Sequence, residues 1–204
     1  MEHYFSKDSL TLSKRRTFGF DFRGEHFDFV SDNAVFSKNQ ADRGSLLMIS
    51  EIIDFLSARG VKNGLFLDFA AGYGLIGVIL KRFFPEMDIY FSEINRRALE
   101  LCQINASAAN IPKDHIIESD GIGNIGNIDF DYISLNPPIR TGKETVKRLI
   151  LEAGSKLKDE DSYLFTVIGK KQGAESYAKF LATEFQSDRL TYDKGFEVRL
   201  SSKK

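Results

Sequence analysis

The residues best suited to chemistry lie in the stretch Asn136-Pro137-Pro138-Ile139, which follows a strand-like run ending at Leu135. An Asn side-chain carbonyl and a neighbouring backbone carbonyl can accept both N–H protons of a planar amino group, which turns the nitrogen lone pair toward a donor methyl group. The two prolines stiffen the stretch and keep it out of the following helix. The pattern favours Asn136 and Pro137 as catalytic residues, although four such residues equally suit a loop that only ends a strand.

A glycine-rich stretch opens directly after an earlier strand-like run. Gly72, Gly74 and Gly77 fit the pattern G-x-G-x-x-G, in which glycine lets the backbone approach a ligand where a helix begins. Asp68 precedes this loop, and the next predicted strand ends in Glu93, nineteen residues beyond Gly74. A carboxylate at that spacing can accept both ribose hydroxyls of an adenosine ligand.

A further acid, Asp120, follows the third predicted strand of this region. Its carboxylate suits the amino group of adenine, or else it caps a turn. Together the three acids predict an adenosine cofactor, which is either a dinucleotide or S-adenosylmethionine. Asp68 favours S-adenosylmethionine, because a carboxylate beside the loop repels a pyrophosphate but attracts the ammonium of a methionine moiety.

Alternating strand and helix patterns must position these residues. From Gly64 onward, short apolar strands alternate with amphipathic helices, and a hairpin around Asp193-Lys194-Gly195 closes the chain. This rhythm predicts an α/β fold with a doubly wound, seven-stranded, mostly parallel sheet that ends in an antiparallel edge strand. In such a sheet the glycine loop, the acids and the Asn-Pro-Pro-Ile stretch open on one edge.

The first part of the chain follows a different pattern. Phenylalanines alternate with small or polar residues over 18–22 and again over 27–29, with turn residues between them. This alternation predicts a β-hairpin with one apolar face. We expect one domain over residues 1–204, with a hairpin extension over 1–41 laid on a catalytic core over 42–204.

Composition narrows the classes of protein that fit. The chain has 42% hydrophobic and 28% charged residues and a formal net charge of -1, so any contact with nucleic acid must come from a local cationic patch. A single cysteine, Cys102, and three scattered histidines predict neither a disulfide nor a metal site. No membrane-spanning run or signal peptide is recognisable, so we expect a cytoplasmic protein; a monomer is the simplest expectation.

With these residues in hand, the chain resembles the class I S-adenosylmethionine-dependent methyltransferases, and more narrowly the RsmC-type guanine-N2 methyltransferases of small-subunit ribosomal RNA. The string from Asn136 to Lys143 is far more specific than Asn-Pro-Pro alone. Besides the glycine loop, the resemblance rests on His3-Tyr4-Phe5-Ser6, Val35-Phe36-Ser37-Lys38, Asp42-Arg43-Gly44-Ser45, Asn136-Pro137-Pro138-Ile139-Arg140-Thr141-Gly142-Lys143 and Lys170-Lys171-Gln172-Gly173-Ala174.

The resemblance implies a role for each matched position. Asn136 and Pro137 would hold the guanine amine, and the partner would be ribosomal RNA or the small ribosomal subunit. The residues implied to hold S-adenosylmethionine are Asp68, Ala70, Gly72, Gly74, Glu93, Ile94, Asp120, Gly121 and Asn136. Those implied to contact the RNA are Phe36, Lys38, Pro138, Ile139, Arg140, Lys143 and Lys170.

The chain departs from the family pattern in three ways. Ala70-Ala71 stands where the family commonly has Gly-Cys, and Glu93 stands where Asp is more usual. Longer members carry a second, degenerate half, whereas this chain matches only the catalytic half. The cofactor loop is still recognisable despite these departures. Because the chain matches only the catalytic half, the resemblance does not identify the RNA target.

Three alternatives stay open on the sequence. Methylation of adenine N6 or of a protein glutamine uses similar turns, but these usually have an aromatic residue where Ile139 stands. A nicotinamide-dependent oxidoreductase fits the glycine loop but lacks an evident acid–base histidine. A non-catalytic RNA-binding module is hinted at only by Ala70-Ala71. The cations Arg140, Lys143, Lys170 and Lys171 favour a phosphate-binding surface in either RNA-related case.

Overall fold

A computed structural model describes residues 13–32 and 41–204. The strands are β1 (Arg15–Phe22), β2 (Glu25–Asp32), β3 (Asn63–Phe69), β4 (Glu86–Glu93), β5 (Ile116–Glu118), β6 (Tyr132–Leu135), β7 (Tyr163–Gly169), β8 (Gln186–Asp193) and β9 (Phe196–Ser202). The helices are α1 (Arg43–Ala58), α2 (Leu75–Phe83), α3 (Arg96–Ala108), α4 (Lys143–Ser155) and α5 (Ala174–Glu184).

Seven of these strands form one sheet in the order β5-β4-β3-β6-β7-β9-β8. The first five are parallel, and β9 is antiparallel to both β7 and β8. The strand order reverses between β3 and β6, which is the position where doubly wound sheets bind ligands at the carboxyl ends of their strands. The predicted fold class is confirmed, including the seven strands and the closing hairpin.

The pairing register places the predicted site loops side by side. Phe69, the last residue of β3, lies opposite Ser92 of β4 and Leu135 of β6. The glycine loop therefore leaves the sheet between the loop that begins at Glu93 and the loop that begins at Asn136. Three segments that are distant in sequence meet at one edge.

Helices cover both faces of the sheet. Phe66 is fully buried on the face covered by α1, α2 and α3, and its neighbour Leu67 is fully buried on the face covered by α4 and α5. Successive strand residues point to opposite faces, so a strand covered on both sides is apolar throughout. Burial of each such side chain stabilises the fold by about 1.5–3 kcal/mol.

The predicted N-terminal hairpin is formed by β1 and β2, which pair with each other and not with the main sheet. Its apolar face packs on the body, where Phe29 contacts Tyr73 edge to face with ring centroids 5.8 Å apart. Asn105, buried on α3, donates hydrogen bonds to the backbone carbonyls of Val30 (3.0 Å) and Tyr73 (2.8 Å). The hairpin is thereby tied directly to the glycine loop.

The helices are short and mostly amphipathic. The longest, α1, has 16 residues and begins at the N-cap residue Asp42, whose side chain accepts a hydrogen bond from the Ser45 backbone N–H. An aspartate in this position satisfies an N–H group that lacks a partner within the helix. Within residues 13–32 and 41–204, no helix is both long and apolar enough to cross a membrane.

Candidate functional site

The glycine loop after β3 needs glycine for two different reasons. Gly74 is the N-cap residue of α2 and has φ +85°, a backbone conformation that residues with a Cβ rarely adopt. At Gly77 the reason is packing, because a Cβ there would clash with the Phe91 ring on β4. The predicted G-x-G-x-x-G motif thus combines a tight turn with close contact between helix and sheet.

Ala70, the first residue after β3, is strained. Its φ is +59°, in the left-handed region, which disfavours a side chain by about 1–2 kcal/mol. Glycine adopts this backbone conformation without strain, whereas the chain has alanine at this position. Such strain in a loop at a ligand-binding edge is maintained by its surroundings.

Glu93 anchors the glycine loop to the end of β4. Its Oε2 accepts a hydrogen bond from the Gly72 N–H (2.8 Å), and its Oε1 accepts from the N–H groups of Ile94 (2.9 Å) and Asn95 (2.8 Å). Burial raises the pKa of Glu93, and these three bonds oppose the rise. A carboxylate has about four acceptor positions, so these three bonds leave about one of them unused.

Asp68 lies beneath the glycine loop. It is 1% exposed, accepts hydrogen bonds from the Gly77 N–H (3.0 Å) and the Ser134 hydroxyl (3.1 Å), and therefore links β3, α2 and β6. Burial raises the pKa of Asp68 to about 7. Its predicted contact with a methionine ammonium stays a prediction, because the described structure directs both carboxylate oxygens to protein groups.

The raised pKa of Asp68 predicts a pH-dependent stability. Between about pH 4 and pH 7 the folded protein keeps a proton that the unfolded chain has released, so the free energy of unfolding falls as the pH rises through this window. The Asn side chain in Asp68→Asn can accept from the Gly77 N–H and donate to the Ser134 hydroxyl oxygen, so we expect the variant to reduce this fall in the free energy of unfolding by about 1–3 kcal/mol. Urea denaturation of both proteins at several pH values in this window measures the free energy of unfolding.

The matched control for this prediction is Asp88→Asn, because Asp88 is an exposed aspartate on β4. Its pH profile of unfolding free energy should follow that of the wild type. Identical profiles for Asp68→Asn and the wild type would show that Asp68 has an ordinary pKa in the folded protein.

A cleft opens beside these loops, at the carboxyl ends of β3 and β4. Acids at the ends of two neighbouring strands and apolar side chains between them give the cleft the chemical groups that an adenosine needs. Its lining residues are Phe69, Ala70, Ser92, Glu93, Ile94, Ser119, Asp120, Gly121, Pro138, Thr141, Thr145, Arg148 and Leu149.

Arg148, on α4, is a cleft residue that sequence reasoning did not select. It forms ion pairs with Asp120 (2.8 Å) and with Glu152 (2.8 Å), and these contacts raise its pKa. Glu152 in turn lies against Gly121, where a Cβ would clash with its carboxylate. Only the i, i+4 spacing of Arg148 and Glu152 was visible in the sequence, and that spacing is typical of any exposed helix.

Asn136 is half-buried at the start of the loop after β6. Its amide nitrogen lies 2.9 Å from the Ser45 hydroxyl and 3.2 Å from Asp42 Oδ2. Its carbonyl oxygen Oδ1 makes no hydrogen bond with any part of the chain that the structure describes. The side chain therefore offers an open acceptor at the edge where the cleft opens.

The prolines after Asn136 form a tight turn, as predicted. The Pro137 carbonyl accepts a hydrogen bond from the Ile139 N–H (2.8 Å), and the Pro138 carbonyl accepts from the N–H (2.9 Å) and the hydroxyl (2.7 Å) of Thr141. A carbonyl oxygen has two lone pairs, so the Pro137 carbonyl has a second one that this hydrogen bond does not use. Two acceptors next to each other thus follow β6.

The predicted RNA-contacting cations are exposed around this edge. Arg140, Lys143 and Lys170 form no ion pair with the residues of 13–32 and 41–204, whereas Lys147 pairs with Glu144. Two other predicted contact residues, Phe36 and Lys38, lie outside the described residues. Over the same described ranges, no cluster of metal-ligating side chains occurs.

Comparison with known sequences gives relatives over the whole chain. Residues 26–199 match the family described as Methyltransferase small domain. The Uncharacterized protein YbxB of Bacillus subtilis is 35% identical over 204 residues, which cover 100% of this chain and 98% of that protein. The Ribosomal RNA small subunit methyltransferase C of Haemophilus ducreyi is 30% identical over 159 residues, which cover 76% of this chain and 46% of that protein.

Solved structures give the same fold. The T. thermophilus 16S rRNA N2 methyltransferase RsmC, in complex with AdoMet and guanosine, superimposes with a TM-score of 0.81 at 22% identity, covering 93% of this chain and 51% of that chain. A ribosomal protein L11 methylase from Lactobacillus delbrueckii gives a TM-score of 0.61 at 19% identity, covering 79% and 78%. The chain thus spans about half the length of the ribosomal RNA methyltransferases that it matches, or less.

Proposed function

The chain belongs to the Methyltransferase small domain family and is a class I S-adenosylmethionine-dependent methyltransferase, and from this premise we propose that it methylates the exocyclic N2 of a guanine in small-subunit ribosomal RNA. The observation that carries the proposal is the open Oδ1 of Asn136, which follows β6 beside the cleft at the reversal of strand order. The names of the matched ribosomal RNA methyltransferases support the substrate class.

The cleft residues are suited to hold the cofactor. S-adenosylmethionine, when bound, supplies a methyl group on a positively charged sulfur. Glu93 retains an acceptor position for the ribose hydroxyls, and Asp120, positioned by Arg148, suits the adenine amino group. The apolar side of the cleft, which includes Ile94 and Pro138, suits the faces of the adenine ring.

Catalysis by this arrangement depends on positioning. Asn136 Oδ1 and the second lone pair of the Pro137 carbonyl accept the two N–H groups of the guanine amine, which directs the nitrogen lone pair at the methyl group. These acceptors also stabilise the positive charge that develops on the nitrogen. No titrating base is required, because the spare proton leaves to water after transfer.

A guanine within structured RNA must leave its stack to reach this turn. Pro138 and Ile139 form the adjoining wall, and flat apolar surfaces of this kind hold an extruded base by stacking. We further propose that residues 1–204 form one catalytic domain.

The cations at this edge form a phosphate-binding surface in our proposal. Arg140 and Lys143 flank the catalytic turn, and the Lys170 N–H donates to the Gly195 carbonyl (2.7 Å), which brings Lys194 beside it. Arg43, in the first turn of α1, extends the surface, since its neighbour Gly44 packs on the ring of Phe196. In this proposal, Arg43 and Lys194 join the predicted cations of the phosphate-binding surface.

Neutralising these cations should weaken RNA binding in a salt-dependent way. Each of Arg140→Gln and Lys170→Gln is expected to weaken binding about 3–10-fold and to reduce the slope of log K against log salt by about 1. The reason is that RNA binding releases about one counterion fewer for each phosphate contact that the substitution removes. Filter binding of small-subunit ribosomal RNA at several salt concentrations measures both quantities.

Lys62→Gln is the matched control, because Lys62 is exposed and precedes β3 at the opposite edge of the sheet. Its affinity and salt slope should equal those of the wild type. If the three variants behave alike, the RNA does not bind at the edge that carries Asn136.

The proposed reaction is tested by transfer of labelled methyl groups from S-adenosylmethionine to ribosomal RNA and to small subunits from a strain that lacks this protein. Nucleoside mass spectrometry then identifies the product. Label in N2-methylguanosine is the expected result. Label in methylated adenine or in a protein glutamine would show that the methyl acceptor is not guanine but another amino or amide group. Absence of transfer to RNA would refute RNA as the substrate.

A further inference from the structure

We infer that Asp42 and Ser45 are positioning residues that hold the Asn136 amide with its oxygen toward the acceptor amine. The inference rests on the proposed function, in which Asn136 Oδ1 binds an N–H group of the substrate. Asp42 is the N-cap of α1 and Ser45 lies in its first turn, and they precede Asn136 by 94 and 91 positions in the chain.

The oxygen and NH₂ ends of a primary amide have nearly the same shape, so a rotation of 180° exchanges them without a change in packing. The hydrogen-bond partners of the amide therefore determine which end faces the substrate. Asp42 Oδ2, 3.2 Å from the Asn136 amide nitrogen, belongs to a carboxylate and can only accept. Ser45 Oγ lies 2.9 Å from the same nitrogen, and its proton is already donated to Asp42 Oδ2 at 3.1 Å. Both neighbours are therefore acceptors, and only the NH₂ end of the amide can face them.

The two acceptors are themselves held in place. Asp42 Oδ2 also accepts the Ser45 backbone N–H (2.8 Å), because Asp42 is the N-cap of α1, and the helix N-terminus stabilises its negative charge. Ser45 is 5% exposed, and buried side chains further along α1 hold the helix against the sheet. The orientation of Asn136 is therefore set before any substrate arrives.

Loss of these acceptors lets the amide turn over. The inverted amide presents N–H groups to the substrate amine, and a donor facing a donor cannot align the nitrogen lone pair. The enzyme then spends part of its time in an unproductive arrangement. Such a defect lowers kcat and leaves cofactor binding unchanged, because the cleft residues keep their positions.

Three variants separate positioning from helix capping. Asp42→Ser keeps an N-cap residue but shortens the side chain so that it no longer reaches Asn136, and Ser45→Ala removes the second acceptor while keeping the capping bond. Each should lower kcat for RNA methylation about 10-fold, with KM and the Kd for S-adenosylmethionine within about 2-fold of wild type. Asp42→Asn, whose carbonyl oxygen can replace Oδ2 in all three contacts, should retain most of the wild-type kcat.

A second readout does not depend on activity. In NMR spectra of the isotopically labelled protein, the Asn136 side-chain NH₂ protons should exchange slowly with solvent in the wild type and about 10-fold or more faster in Ser45→Ala. Wild-type kcat with unchanged exchange in both Ser45→Ala and Asp42→Ser would overturn the inference. The proposed function fails separately, if wild-type protein makes no N2-methylguanosine.

Discussion

Asn136→Ala is expected to lower the rate of methyl transfer to RNA by about a thousand-fold or more, with the Kd for S-adenosylmethionine nearly unchanged. The substitution removes the open acceptor Oδ1, so the guanine amine keeps its lone pair delocalised into the ring. The cleft is unaffected, because Asn136 does not line it. Single-turnover transfer of labelled methyl groups measures the rate, and calorimetry measures the affinity.

The matched control is Asn63→Ala, since Asn63 is exposed at the amino end of β3, across the sheet from the site. It should retain wild-type transfer and thermal stability. An Asn136→Ala enzyme that transfers methyl groups at the wild-type rate would refute the catalytic role of Asn136.

Glu93→Gln is expected to weaken binding of S-adenosylmethionine about 100-fold, which corresponds to about 2.7 kcal/mol. Glu93 accepts backbone N–H groups on both of its oxygens. A glutamine amide in either orientation places its NH₂ group against one of those donors, which leaves the Gly72 N–H or the other two unsatisfied. The variant also loses the charge that strengthens bonds to ribose hydroxyls. Calorimetry with the cofactor measures the loss.

Glu86→Gln makes the same chemical change at the exposed amino end of the same strand, β4, and should bind the cofactor like the wild type. Equal affinities for Glu93→Gln and Glu86→Gln would mean that the cofactor does not depend on the carboxylate at the end of β4. A loss of secondary structure in Glu93→Gln, checked by circular dichroism, would make unfolding the cause of the weaker binding.

The sheet and its site edge were predictable from local patterns. Short apolar strands such as β3 and β7 read as buried parallel strands, and the glycines after β3 coincide with the predicted loop. The loops that follow parallel strands lie at the same end of the sheet. The positions of Gly72, Glu93 and Asn136 at the ends of their strands were therefore enough to predict that they lie close together.

Long-range polar contacts were not predictable in the same way. Asn105 lies on the same face of α3 as buried apolar residues and donates a hydrogen bond to β2, 75 residues earlier in the chain. The spacing of apolar residues predicts which face of a helix is buried, but it does not predict that a polar residue on that face has a distant partner. The contact of Asp42 with Asn136 spans 94 residues, and no periodic pattern reports such a pair. The burial of Asp68 beneath the glycine loop was likewise not predictable, because it depends on which way this strand residue points.

The central claim is that Asn136 presents the exocyclic N2 of a guanine for methylation. After the methylated position is mapped, the direct measurement is transfer to an RNA in which that guanosine is replaced by inosine, which lacks the exocyclic amine. We expect transfer below about 1% of that to the guanosine RNA of the same sequence, with RNA binding preserved. Transfer to the inosine RNA at the rate of the guanosine RNA would contradict it.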